Sequence, residues 1–180
     1  MQPDNLEEII LKKISVFKSK INSHIVDTVS NYTKNNMSSF ESRTWNCNIS
    51  TSFNISNNIL YYVPEFKYVK ENIEKSVQNL LLQNFKKYIP FMIHESWINI
   101  LGKNGYQEFH VHKNCFGSGV LYLTDDNSSI EFAIFPEDTR KQIVPKKCDL
   151  LLFDSSTFHR VLDSDKERFS LAFNFKADIK

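Results

Sequence analysis

The chain has 180 residues, 41% of them hydrophobic and 24% charged, enough to bury most of its apolar surface in one domain without covalent staples. Its 22 Lys and Arg against 21 Asp and Glu leave a formal charge of +1, so no broad basic face is expected and nucleic acid is not an expected partner. Cys47, Cys115 and Cys148 lack C-x-x-C spacing and read as reduced, small hydrophobic residues of a cytoplasmic protein. The opening "MQPDNLEEIILKK" does not read as a signal peptide, and no segment has the ~20 apolar residues that span a bilayer.

Leu6, Ile9, Ile10, Ile14, Phe17, Ile21 and Ile25 recur at helical spacing and predict an amphipathic helix over about residues 5–30. After a polar loop, "TWNCNISTSF" alternates as a strand. A second helix is expected after Pro64, carrying Phe66, Val69, Ile73, Val77, Leu80, Leu81 and Phe85 and ending near "KKYIP", where Pro90 discourages continuation. From Phe91 onward the pattern changes to short β-rich runs: "FMIHESWINILG", "YQEFHVHK", "GSGVLYLTD", "SIEFAIFP", "CDLLLFDS", "HRVLDS" and "RFSLAFNFKA". Strands at this spacing imply a sandwich or barrel with helices covering one sheet. The expectation is a single α+β domain over residues 1–180, with a mostly helical support over 1–90 and a β core over 91–178.

Chemistry concentrates in the C-terminal half. Side chains alternate along a strand, so in "YQEFHVHK" Glu108, His110 and His112 are expected on one face, which puts two imidazoles in a chelating arrangement. The competing reading is a solvated polar face. A third ligand is available in His159, which opens the strand after the polar turn "DSST". His24, on a helix, and His94, at a strand start, read as structural or surface residues. Arg168 and Ser170 share a strand face, and an inward arginine is costly unless an anion neutralises it. The alternative is a rim arginine paired with Asp163, Asp165 or Glu167. Tyr122 offers a phenol to the same anion if its strand neighbours that of Arg168.

The order His-x-His, Ser-Gly-Val-x-Tyr-Leu, Asp-Leu-Leu-Leu-Phe-x-Ser, His-Arg-Val and Arg-Phe-Ser-x-x-Phe-Asn resembles the Fe(II)/2-oxoglutarate-dependent oxygenases, in particular their small members from bacteria and phages. The resemblance is strong from Trp97 to Asn174 and looser over the front of the chain. It implies a double-stranded β-helix, a cupin-like jelly roll with the N-terminal helices packed on one sheet. It further implies Fe(II) held by His110, His112 and His159, and 2-oxoglutarate as co-substrate. Arg168 would clamp the distal carboxylate with help from Ser170 and Tyr122, while Asn99 would reach the metal-side carboxylate or the substrate. The activity implied is hydroxylation of a C–H bond, in a peptide or protein side chain or in a small metabolite, with O2 consumed and succinate and CO2 released.

One departure stands out. His112 occupies the position where most of the superfamily has a carboxylate, and Glu108 lies on the wrong side of His110 to replace it. His112 is therefore either a true third ligand or a neighbour of a two-histidine site completed by water or chloride. Two readings also stay open beside the oxygenase: a three-histidine, cupin-like metal dioxygenase that does not use 2-oxoglutarate, and a jelly-roll binding module without catalysis. Specificity is expected from the N-terminal helices and the loops around "LTDDNSS" and "EDTRKQIVPKK". Oligomeric state is not encoded in a single pattern of apolar residues.

Overall fold

The run "RFSLAFNFKA" forms strand β12, Arg168–Ala177, which is buried along almost its whole length and therefore has two inward faces. Phe169, Leu171, Phe173 and Phe175 point to one side, into an apolar cluster shared with the helices. Arg168, Ser170 and Asn174 take the alternate positions on the other side. Every second side chain is thus aromatic or aliphatic and every other one mostly small or polar, which is the alternation of a strand sandwiched between two layers.

The computed structural model describes residues 7–11, 14–125, 127–136 and 139–179. In chain order the remaining elements are β1 (Glu7–Leu11), β2 (Ile14–Lys20), α1 (Ser23–Asn36), β3 (Glu41–Arg43), β4 (Ile49–Thr51), α2 (Ile59–Tyr62), α3 (Lys67–Phe85), β5 (Phe91–Leu101), β6 (Gln107–His110), β7 (Gly117–Tyr122), β8 (Ile130–Ile134), β9 (Thr139–Ile143), β10 (Asp149–Asp154) and β11 (Phe158–Val161). They form an eight-stranded sheet in the order β1-β2-β10-β7-β12-β5-β4-β3 and a four-stranded sheet in the order β6-β11-β8-β9. All strand pairs are antiparallel.

Helices α1 and α3 cover one face of the large sheet. Val26 and Val29 of α1 and Val69, Ile73, Val77 and Leu81 of α3 join Ile98, Leu121, Leu150, Leu152 and Leu171 of the sheet in one apolar cluster. Each such fully buried side chain contributes about 1.5–3 kcal/mol, which makes this layer the main source of stability. A second cluster, Ile14, Val16, Tyr122, Ile130, Phe132, Leu151 and Phe153, packs between the two sheets. A third, smaller cluster joins Cys47, Ile49 and Leu101. No helix among the described residues is long and apolar enough to cross a membrane.

The expected helix over 5–30 is instead two strands followed by a helix. Leu6 lies outside the described residues; β1 pairs with β2, β2 pairs with β10, and α1 begins only at Ser23, where the Asn22 side chain accepts the His24 N–H at 2.9 Å. Strand β2 is buried on both faces, Ile14 and Val16 between the sheets and Phe17 under the helices with Ile21 just beyond the strand, and apolar residues on both faces mimic helical spacing. The run "TWNCNISTSF" is likewise not one strand. Asn46 takes a left-handed backbone with φ 53°, so the chain turns between β3 and β4 and then enters a short helical turn at Ser52–Asn54. Residues 139–143, taken as loop, form β9. The second helix and the seven later β runs match their predicted places, except that β6 stops at His110.

Two local devices fix the interior. Asn174 pairs with Glu95 and Phe175 with Ile93, leaving His94 as the extra residue of a β-bulge. The bulge reverses strand parity, so Glu95 faces inward while Ile93 joins the helix-side cluster. On that outer face, Gly119 sits opposite Phe173 in the ladder, and a Cβ there would collide with the Phe173 ring and lie 2.8 Å from Leu152 Cδ2. Gly119→Ala is expected to cost about 1–3 kcal/mol through overpacking. Urea denaturation of the variant would measure it.

Candidate metal centre

Strands β6 and β11 pair so that His110 stands directly opposite His159. Opposed residues of an antiparallel ladder project to the same face, so the two imidazoles meet, with ring centroids 4.2 Å apart. Each ring is oriented by its own backbone. His110 Nδ1 lies 2.8 Å from the Glu108 carbonyl oxygen and His159 Nδ1 lies 2.9 Å from that of Thr157. An Nδ1–H donated to a carbonyl leaves Nε2 unprotonated and available as a ligand.

His112 reaches the same place by another route. It lies beyond the end of β6, so the expected strand placement of Glu108, His110 and His112 on one face does not hold for His112. Its backbone N–H donates to Ser155 O at 2.9 Å, and the Ser155 hydroxyl donates to Cys115 O at 2.6 Å, which ties the loop after β6 to the end of β10. The His112 ring then lies 5.2 Å from both His110 and His159, with Trp97 5.9 Å away on its other side. Its Nδ1 is 3.5 Å from the Asn174 amide, which donates to Glu95 at 2.9 Å and accepts from Ser118 at 2.8 Å.

One ligand atom from each of His110, His112 and His159 falls within 4.8 Å of the others, a set able to hold a metal ion. Burial keeps these rings uncharged. Desolvation lowers the pKa of His110, brings that of His112 to about 4 with help from His110, and pushes that of His159 well below the usual 6.5. Three neutral imidazoles gathered on one side of a cavity are the donors that a divalent transition metal prefers, with the opposite side open. Glu108 contributes its carbonyl to His110 and is absent from the cluster. His24 on α1 and His94 at the bulge also stand apart from it.

The cavity facing the histidines is lined by Trp97, Asn99, Tyr122, Arg168 and Ser170, which the fold brings together from β5, β7 and β12. Ser170 is opposite Asn99 on one side and Tyr122 on the other. Arg168 is 2% exposed, which rules out the rim placement beside Asp163, Asp165 and Glu167. Its guanidinium donates to the Ser128 hydroxyl at 2.6 Å and lies 5.6 Å from the centre of the Tyr122 ring. Sequence reasoning passed over Ser128, which sits in a polar loop with no pattern of its own; Ser118, Glu95 and Asn174 carried a signal only through strand parity.

No protein-family model and no curated protein matches the chain. Solved structures do. A prolyl-4-hydroxylase from Pseudomonas putida superposes with a TM-score of 0.69 at 14% identity, covering 92% of this chain and 94% of that one. The fold is that of this hydroxylase, a double-stranded β-helix. A viral collagen prolyl hydroxylase from Paramecium bursaria Chlorella virus-1, in complex with 2-oxoglutarate, gives a TM-score of 0.64 at 14% identity over 95% of this chain and all of that one. HygX from Streptomyces hygroscopicus, with nickel, 2-oxoglutarate and hygromycin B bound, gives 0.63 at 10% identity over 89% and 82%. The eight-plus-four arrangement with helices on the large sheet is thus a double-stranded β-helix, as the motif order implied.

The lowered histidine pKa values set a direction for metal-free stability. In the unfolded chain the three imidazoles take up protons near pH 6.5, whereas in the folded chain they do so only at lower pH. Stability is therefore complete above about pH 6.5 and falls as the pH drops through the interval below it, by about 1.4 kcal/mol per pH unit for each ring that stays neutral. Denaturant titrations of the metal-free protein at pH 7.5 and 5.5 should show this loss, and His159→Gln should reduce it.

Proposed function

We propose that the protein is an Fe(II)- and 2-oxoglutarate-dependent dioxygenase that hydroxylates a C–H bond of a peptide, protein side chain or small metabolite. The observation that carries this reading is the pairing of a three-histidine cluster with a buried arginine across one cavity of a double-stranded β-helix. A metal site alone fits many reactions; a buried guanidinium on the wall of the same cavity adds the planar pair of N–H donors that the carboxylate of an anionic co-substrate would accept. Bound iron would supply the oxidising chemistry, in which 2-oxoglutarate is decarboxylated to succinate and one oxygen atom of O2 enters the substrate.

The chain's own residues do the rest. His110, His112 and His159 would hold the metal through neutral nitrogens, leaving the site one unit more positive than a two-histidine, one-carboxylate site. An anionic co-substrate is correspondingly better held. Arg168, positioned by Ser128, would bind the distal carboxylate through parallel N–H donors, and Ser170 and Tyr122 would add hydroxyl donors beside it. Asn99 borders the same cavity and is placed for the metal-side carboxylate or the substrate. Leu101, Val120, Ile130, Val161 and Ala172 add apolar wall to the cavity and would limit water in it.

The three-histidine reading without 2-oxoglutarate explains His112 equally well but assigns Arg168, Ser170 and Tyr122 no common task. Anaerobic protein reconstituted with Fe(II) and 2-oxoglutarate should develop the visible absorption band of the iron-bound keto acid and, on exposure to air, release succinate. Arg168→Ala should raise the 2-oxoglutarate concentration needed by at least about tenfold, since a charge-assisted contact is lost. His159→Ala should abolish iron binding. Iron binding without the band would favour the co-substrate-free enzyme, and full succinate release by either variant would overturn the assignment.

A further inference from the structure

A second cavity of about 450 Å³ adjoins the histidine cavity and shares Trp97, Asn99 and Gln107 with it. Its walls are aromatic, from Trp45, Phe53 and Trp97. The Phe53 and Trp97 rings lie 5.0 Å apart, while Trp45, on the turn between β3 and β4, is 86% exposed at the mouth. The one cation on this wall, Arg43, lies over Phe53 and is ion-paired with Glu41. The lining therefore carries no carboxylate, and its one guanidinium is already matched by an anion.

Among the polar side chains of this lining, Thr44, Thr51, Asn99 and Gln107, two stand together. Thr51 of β4 and Asn99 of β5 are ladder partners, 1% and 7% exposed, and both line the cavity. Neither Thr51 Oγ1 nor Asn99 Oδ1 has a hydrogen-bond partner among the described residues. A buried polar atom left unmatched costs about 1–3 kcal/mol, and two of them side by side at the edge of the metal site are a cost that ligand contacts would offset. Together they offer an acceptor, the amide oxygen of Asn99, next to a hydroxyl able to donate.

One residue of an extended polypeptide presents its own N–H and C=O along the same edge, as a donor and an acceptor a few ångströms apart. Resting on the oxygenase reading of the adjoining site, we propose that the primary substrate is a polypeptide segment bound in extended form. Its backbone N–H donates to Asn99 Oδ1 and its C=O accepts from the Thr51 hydroxyl. Trp45, Phe53 and Trp97 pack against its uncharged side chains, and the side chain following the gripped residue enters the histidine cavity. A free anionic metabolite finds no unmatched cation in this second cavity.

The chain's two tryptophans, Trp45 and Trp97, both line the cavity, so intrinsic fluorescence reports its occupancy directly. The full chain, metal-free and separately loaded with nickel(II) and 2-oxoglutarate, would be titrated with N-acetyl tripeptide amides. Alanine would stand at both ends and leucine, proline, phenylalanine, asparagine or lysine at the centre. At least one uncharged peptide is expected to shift the emission saturably. Replacing its central amide by an ester, and separately Thr51→Val in the protein, should each weaken binding about tenfold. Thr51→Val removes an unmatched buried hydroxyl, so its melting temperature should equal or exceed that of the wild type.

Unchanged peptide binding by Thr51→Val and by the ester would overturn the proposal, as would a lowered melting temperature in that variant or no response to any of the five peptides. A response to the small amide N-methylbenzamide alone would reassign the cavity to small molecules. The iron–2-oxoglutarate absorption band in the wild type tests the oxygenase reading separately, because the peptide titration is also made without metal.

Discussion

A strand buried on both faces must satisfy two environments at once, and β12 does so by strict alternation. Its phenylalanines and leucine carry the helix-side core, while its arginine, serine and asparagine are committed to an interior that is neither water nor hydrocarbon. Everything chemical in the molecule depends on that commitment. Register pairing then carries the polarity outward: Ser170 lies between Asn99 and Tyr122, and Asn174 between Glu95 and Ser118. These two polar rows share one face, with Trp97, Ala172 and Val120 between them, because each strand keeps the same parity, and the bulge at His94 ends the face by sending Ile93 to the opposite side.

Facing the strip, the small sheet supplies imidazoles, and desolvation does for them what coordination requires. A histidine in water spends much of its time protonated near pH 6 and then offers no lone pair to a metal. Burial disfavours the cation, so the cluster stays in its ligating form over the whole neutral range. The opposite wall carries the buried guanidinium of Arg168. Neutral donors on one wall and a guanidinium on the other give the cavity a polarity along which the proposed dianionic keto acid would have one favourable direction.

Legibility in the sequence followed how one-sided each element is. Helix α3 and strands β5, β10 and β12 were read correctly because their apolar residues mark a face or fill a short buried run. Strand β2 was taken for a helix because Ile14, Phe17 and Ile21 fit a 3.6-residue period once Val16, on the other core, is ignored. Strand β9, "TRKQI", lies largely exposed and carries almost no hydrophobic signal. The site residues were legible where chemistry makes a residue type rare: histidines one apart, or an arginine between apolar neighbours. Ser128 and Thr51 were invisible, because serine and threonine occur at every turn and strand edge. The placement of His112 was derived from a strand that ends two residues too early, yet the loop returns the ring to the cluster.

That early ending divides the metal site into unequal parts. His110 and His159 are locked across a ladder, each ring tethered to its own backbone, so a two-toothed clip exists before any ion arrives. The third tooth rides on a loop held by the His112 N–H on Ser155 O, the Ser155 hydroxyl on Cys115 O and the contact of the ring with Asn174. An ion held by the three rings would therefore meet two donors fixed across a ladder and a third carried by a loop.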